Sequence, residues 1–321
     1  MRAVSTLAEM DPPRAAAGPE PGGGAPWRPR MTEAGLAPTH EITVVDEYGT
    51  PRPAHVAGES PLTLKVDDRE IVTLMTLGTH PEALALGYLR NQRLVERLRD
   101  VESVEVDWDF ETVHVRTFAG NGIADLEEKL ARRTVTTGCG QGTVFSCTID
   151  MIYDSKVPQV EVRQSLVYDL LREIGAYNEI YRQAGAVHGC ALCQGTRILS
   201  FVEDVGRHNA ADAIAGQMWL DETVGEDKIF YTTGRLTSEI VMKVTQMGIP
   251  VLLSRSGVTH MGLELAEITG VTMIARAKAR HFLVYTGASN VVFDAPPPPR
   301  PERRPAERAG ARREEAAGTR S

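Results

Sequence analysis

The sequence contains no run of eighteen or more apolar residues, so no membrane-spanning helix is encoded. It also lacks an N-terminal basic stretch followed by an apolar one, so no secretory signal is expected and the expected location is cytoplasmic. Positive charge is scarce: 35 Lys and Arg stand against 43 Asp and Glu, a formal net charge of −8, which argues against general nucleic-acid or acidic-membrane binding. Any anion must therefore meet a local basic pocket. Neither G-x-G-x-x-G nor a Walker pattern occurs, which excludes the usual dinucleotide and nucleoside-triphosphate sites. Four cysteines in 321 residues are too few for a disulfide framework and suit a reducing compartment, where a thiol is packing, ligand or reagent.

The chain that remains divides by composition. Residues 1–38, rich in Ala, Gly and Pro, and residues 291–321, rich in Pro and charge, bury too little apolar surface to offset the entropy of ordering and are expected to be disordered tails. Residues 39–133 read as a smaller strand-rich N-terminal domain: I-T-V-V-D, P-L-T-L-K-V, I-V-T-L-M-T-L, V-E-S-V-E-V-D-W-D and T-V-H-V-R-T alternate as half-buried strands do. The run P-E-A-L-A-L-G-Y-L-R-N-Q-R-L interrupts them with helical spacing, and I-A-D-L-E-E-K-L-A-R-R predicts a second helix. Residues 134–164 have no regular period and are expected to form a flexible cysteine-bearing loop.

Residues 165–290 change rhythm. The segment S-L-V-Y-D-L-L-R-E-I-G-A-Y-N-E-I-Y-R predicts one amphipathic helix. Short apolar runs, R-I-L-S-F-V, K-I-F-Y-T-T, P-V-L-L-S and V-T-M-I-A, then alternate with helices beginning near Asn209, Thr237 and Met261. That order predicts an α/β domain built as a three-layer sheet, closed by H-F-L-V-Y-T.

Ligands of such sheets bind at strand ends, where loops and helix N-termini converge. Three polar turns occupy such positions. E-D-V-G-R-H-N-A places Arg207 and His208 at a helix start, with Asp204 as a helix cap and His208 against a neighbour as the structural reading. Y-T-T-G-R-L-T-S-E-I-V-M-K places Arg235 in a turn, where its planar guanidinium suits phosphate or carboxylate, with Thr237 as N-cap and Glu239/Lys243 as a solvated surface pair. A-R-A-K-A-R-H-F puts Arg276, Lys278 and Arg280 on one side of a strand if alternation holds, a basic row beside His281. Together the turns favour a phosphate-bearing ligand over a solvated surface.

Cys139 lies among Gly138, Gly140 and Gly142, which give its backbone freedom and deny it a packed home. A thiolate on a pliable stretch can exchange sulfur with two partners in turn; an exposed bystander is the bland alternative. His188, Cys190 and Cys193 in H-G-C-A-L-C have spacing that could ligate zinc, though the H-x-E and P-C-x-x-C signatures of a zinc deaminase are missing and the small apolar neighbours suit buried thiols.

T-G-C-G at 137–140, E-D-V-G-R-H at 203–208, G-R-L-T-S-E-I-V-M-K at 234–243 and K-A-R…V-Y-T at 278–286 resemble, in the right order, the FdhD family of sulfur carrier proteins across about residues 40–290. The resemblance implies a sulfurtransferase required for formate dehydrogenase activity, which takes sulfur from a cysteine desulfurase as a persulfide. The acceptor it implies is the molybdenum cofactor, as bis-molybdopterin guanine dinucleotide, before insertion. It further implies a homodimer, a C-terminal domain similar to the cytidine deaminase fold without its zinc chemistry, Cys139 as the persulfide-bearing residue, and cofactor binding by Arg276, Ala277, Lys278, Ala279, Arg280 and His281. Family members often carry C-G-x-C; here Gly142 stands at the second cysteine position and Cys147 lies further on. A cofactor chaperone that carries no sulfur is the alternative from another class.

Overall fold

The computed structural model describes residues 27–120, 123, 133–136, 142–145 and 152–298. Cys139 and Cys147 lie outside the described residues, as do most of the helix expected before them and both extreme tails.

The N-terminal half is a five-stranded sheet in the order β1-β6-β7-β4-β5, made of β1 (Arg30–Met31), β4 (Ser60–Val66), β5 (Arg69–Thr76), β6 (Val101–Asp107) and β7 (Thr112–Thr117). Alternation in β4 is clean, with Leu62, Leu64 and Val66 fully buried. A two-stranded arm, β2 (Thr39–Val45) paired with β3 (Pro51–Ala57), stands apart from it. Helix α1 (Pro81–Asn91) follows β5 and is buried nearly all round, which its low amphipathicity requires.

Residues 27–38, expected to belong to a disordered tail, are part of this fold. Arg30 and Met31 pair with Ser103 and Val104, the Glu82 carboxylate accepts the Thr32 hydroxyl and the Ala34 amide at 2.8 Å each, and the Trp108 indole donates to the Ala34 carbonyl. Composition hid this anchoring because it comes from partners distant in sequence. At the other end, Val291–Val292 (β17) pairs with Val162–Arg163 (β10), and Asp294 accepts the Ser165 amide and hydroxyl, so the fold continues past residue 290.

Residues on either side of Cys139 in sequence form β8 (Arg133–Thr136) and β9 (Gly142–Phe145), paired antiparallel. The single amphipathic helix expected from residue 165 is two: α2 (Gln164–Ile174) and α3 (Glu179–Ala184). Gly175 ends the first, where the missing Cβ weakens helical propagation, and Asn178 restarts the second.

The C-terminal half is a six-stranded sheet in the order β12-β11-β13-β14-β15-β16: β11 (His188–Gln194), β12 (Arg197–Asp204), β13 (Ile229–Thr232), β14 (Val251–Ser254), β15 (Thr272–Lys278) and β16 (His281–Val284). Strands β13, β14 and β15 are parallel; β11 is antiparallel to both its neighbours, so β12 runs with β13. Cys190, Leu192, Phe230, Leu252 and Met273 face a core completed by α4 (Arg207–Leu220), α5 (Ser238–Gln246), α6 (His260–Thr269), α1 and the first sheet. Ala191, Cys193, Tyr231, Leu253 and Ile274 face α2 and β10 on the other side. The chain is thus mixed α/β, its larger sheet covered on both faces.

Helices α1 and α4 touch backbone to backbone. A Cβ added at Gly87 would lie 1.7 Å from the Asp212 carbonyl oxygen, and one at Gly216 would lie 1.9 Å from that of Ala83. Only glycine permits this approach, and it seats the first turn of α4 beside the end of β5.

Candidate functional site

Because β12, β13, β14 and β15 run the same way, their C-terminal ends share one edge, and β11 begins there. The three polar turns identified in the sequence all lie along it. Helices α4, α5 and α6 start from the same edge, each following a strand, so three helix N-termini add their positive dipole ends. Across the four inter-strand steps from β12 to β15 the edge is roughly 19 Å long, at about 4.8 Å per step.

In the first turn, Glu203 and Asp204 are structural. The Glu203 carboxylate accepts the Ile180 and Tyr181 amides at 2.9 and 3.0 Å, capping α3. Asp204 is not the cap of α4 that the sequence suggests; it accepts the Thr76 hydroxyl, the Leu77 and Gly206 amides and the Asn209 side chain, tying β5 to the turn. Burial pushes its carboxyl pKa up, and those four hydrogen bonds pull it back. The turn then delivers Arg207 and His208 as the first residues of α4, both buried.

Arg207 crosses to the second turn. Its Cδ would stand 2.6 Å from a Cβ added at Gly234, so that glycine is the seat of the side chain. Arg235 follows, exposed. His188, at the start of β11, places Nδ1 3.4 Å from the Thr233 hydroxyl. Burial lowers the His188 pKa, with Arg207 and Arg235 adding to the effect; His208 is driven well below the usual imidazole range by burial, then by Lys243, Arg207, His188 and Arg235. In both rings burial and the neighbouring cations disfavour the charged form.

Glu239 and Lys243 are not the surface pair the sequence suggests: each is 3% exposed. Lys243 Nζ lies 2.6 Å from Asp212 Oδ2 and 3.7 Å from Glu239 Oε1, and Glu239 Oε1 lies 3.2 Å from His208 Nδ1. Asn91 of α1 donates to the other Asp212 oxygen at 2.7 Å. The i,i+4 spacing was visible, but Asp212, 31 positions away on another helix, was not. Thr237 is the N-cap of α5 by backbone, yet its hydroxyl makes no capping bond.

The third turn departs from simple alternation. Arg276 has φ 51°, the ladder shifts register between Ala275 and Lys278, and the Arg276 amide bonds the Ser256 carbonyl at 2.9 Å. Ala275 therefore faces the α4 side and Ala277 the α2 side, although two apart. Arg276 and Lys278 are exposed near the edge; Ala279, at φ 52°, and Arg280 make the turn to His281. The Arg280 guanidinium lies 5.5 Å from the Tyr168 ring centre on α2, away from the expected row.

Arg255 was overlooked in the sequence. It follows β14 directly, is exposed, and bonds the buried Tyr231 hydroxyl. The signal was present: S-R-S-G follows P-V-L-L-S as G-R follows Y-T-T.

Cys190 and Cys193 are fully buried on opposite faces of β11, so they cannot join His188 around one metal, and burial pushes both thiols up to about 12. Among the described residues no cluster of three or more His, Cys, Asp or Glu has metal-binding geometry. The zinc-deaminase alternative loses its ligand set.

The class the fold defines is an acidic, mixed α/β protein with basic residues gathered along one edge of its larger sheet. The family is equally plain. The FdhD/NarQ family model matches residues 57–292, and the chain belongs to that family. It is 29% identical over 240 residues to the sulfur carrier protein FdhD of Listeria monocytogenes, covering 74% of this chain and 91% of that one. The sulfur carrier protein FdhD of Geobacillus kaustophilus is 27% identical, with 74% and 90% covered. A crystal structure from Desulfotalea psychrophila, assigned as a formate dehydrogenase accessory protein, superposes with a TM-score of 0.63 at 24% identity over 79% of this chain and 98% of that one.

Proposed function

We propose that this chain is a sulfur carrier protein serving formate dehydrogenase, that it acts as a sulfurtransferase, and that the basic strand edge holds the phosphates of its sulfur acceptor. The observation that carries the reading is the convergence of Arg207, Arg235, Arg255 and Arg276 with three helix N-termini on one edge of an acidic protein. An edge roughly 19 Å long suits a ligand with several spread phosphates better than a lone phosphate ion. Bis-molybdopterin guanine dinucleotide, the acceptor implied by the family, is such a ligand and is a substrate here.

In this reading Cys139 is the carrier. Its thiolate attacks the terminal sulfur of a cysteine desulfurase persulfide; a new S–S bond forms, the donor S–S bond breaks, and the donor leaves as thiolate while the hydrogen travels with the sulfur. In the second transfer the Cys139 S–S bond would break, the terminal sulfur passing as sulfide to the substrate's metal, which would give up two electrons, with the sulfur's proton released to solvent and Cys139 left as thiolate. Arg207, Arg235, Arg255, Arg276 and Lys278, with His208, hold the substrate; Ala277, Ala279, Arg280 and His281 shape the hairpin that carries Arg276 and Lys278. Positioning supplies most of the gain, since a held sulfur replaces a bimolecular encounter. A cytoplasmic homodimer and a deaminase-like C-terminal fold belong to the same reading.

Complementation tests it. In a host lacking its own carrier, this chain should restore formate dehydrogenase activity and the Cys139→Ser variant should not.

A further inference from the structure

The buried chain Asn91–Asp212–Lys243–Glu239–His208 runs from α1 through α4 and α5 to the strand edge. Replacing a buried ionic cluster by apolar residues is often neutral or stabilising, so stability alone is a poor account of it. Its last member sits where the ligand site begins. His208 Nδ1 is buried and stands 3.2 Å from Glu239 Oε1, close but without the alignment of a hydrogen bond. A small rotation of the ring completes that bond, and such bonds commonly tighten only when ligand is present.

We propose that Glu239 is a positioning residue for His208: it holds the ring hydrogen on Nδ1, so that Nε2 offers its lone pair at the anion-binding edge to an N–H donor of the phosphate-bearing ligand. Lys243, clamped by Asp212, keeps Glu239 in place. The charged and titratable groups around the ring are Glu239 and Lys243 from α5, Arg207 from its own helix, His188 from β11 and Arg235 from the β13–α5 turn. Burial first, and then the cations among them, disfavour the charged ring, as an acceptor requires. The phosphates thus report on the arginines and the N–H donor reports on His208. The inference rests on the strand edge being the ligand site.

Two probes separate the parts: inorganic pyrophosphate, which offers phosphates alone, and GDP, which adds a base with N–H donors. Nitrogen-15 NMR of the imidazole in the full chain reads the tautomer without any ligand. Wild-type His208 should carry its hydrogen on Nδ1 at pH 7. Glu239→Leu should lose that preference and weaken GDP about 10-fold, the loss of one neutral hydrogen bond, while pyrophosphate binding is unchanged. Glu239→Gln, which keeps a carbonyl oxygen in place, should restore both. A hydrogen on Nε2 in the wild type overturns the proposal, as does a parallel loss of pyrophosphate and GDP, or an unchanged tautomer, in Glu239→Leu. Should Glu239→Leu fail to fold, the wild-type tautomer and the Glu239→Gln variant still decide it. If neither probe binds the wild type, the ligand-site reading fails, and with it the acceptor role, whereas a tautomer result against Nδ1 with both probes bound sinks only the positioning of His208.

Discussion

The Asp204 carboxylate accepts the Thr76 hydroxyl at 2.5 Å across 128 positions of sequence, joining the end of one sheet to the end of the other. With the Leu77 and Gly206 amides and the Asn209 side chain it makes four contacts, all inside the protein. Asp204→Ala should cost about 2–5 kcal/mol, because it takes the acceptor from the buried Thr76 hydroxyl and Leu77 amide and a partner from Gly206 and Asn209, the last of which keeps the Met75 carbonyl, and Asp204→Asn should cost less. Urea denaturation of both variants checks the order.

The glycine contact between α1 and α4 predicts a second loss. A methyl at Gly87 overlaps the Asp212 carbonyl, and no side-chain motion can relieve a backbone clash. Gly87→Ala and Gly216→Ala should each destabilise by about 3 kcal/mol or more, against about 1 kcal/mol for Gly120→Ala, at a turn open to solvent but held at positive φ. Thermal unfolding of the three variants gives the comparison.

The strand edge predicts a hierarchy of anion binding. Arg235→Ala, Arg255→Ala and Arg276→Ala should each weaken pyrophosphate about 10- to 100-fold and reduce the salt dependence of binding, since each removes a charge-assisted contact. Arg280→Ala should change little, because that guanidinium lies against Tyr168. Titration calorimetry at two ionic strengths separates the groups.

His208 predicts a pH dependence. Its folded pKa is depressed, so as pH falls below about 6.5 the unfolded chain takes up the proton first and stability is lost progressively toward the folded pKa. His80 and His188 shift the same way. His208→Asn should therefore flatten the decline of the urea midpoint between pH 7 and 5 without abolishing it; an unchanged decline contradicts the assignment.

Much of this architecture was legible in the residues. The alternation of apolar runs with helices after residue 196 placed α4, α5 and α6 within two residues of their observed starts, because helix caps and strand ends are local signals. The polar turns pointed to one sheet edge for the same reason. What was hidden depends on distant partners: Lys243 is buried because Asp212 meets it, Asp204 leaves its own helix for Thr76, and the bulge at Arg276 is pinned by Ser256. Strand β3 went unseen because Pro51 and Pro53 argue against a strand, and the exposed two-stranded arm tolerates them. Strand β11 went unseen because H-G-C-A-L-C reads first as a thiol motif.

The central claim is that one thiol, Cys139, carries sulfur between a donor protein and the substrate at the strand edge. Incubation with a cysteine desulfurase and cysteine, followed by peptide mass spectrometry, tests it most directly. The account predicts the added mass of one sulfur on the Cys139 peptide, removable by reductant and missing from Cys139→Ser. An unmodified Cys139, together with full maturation of formate dehydrogenase by Cys139→Ser, would contradict it.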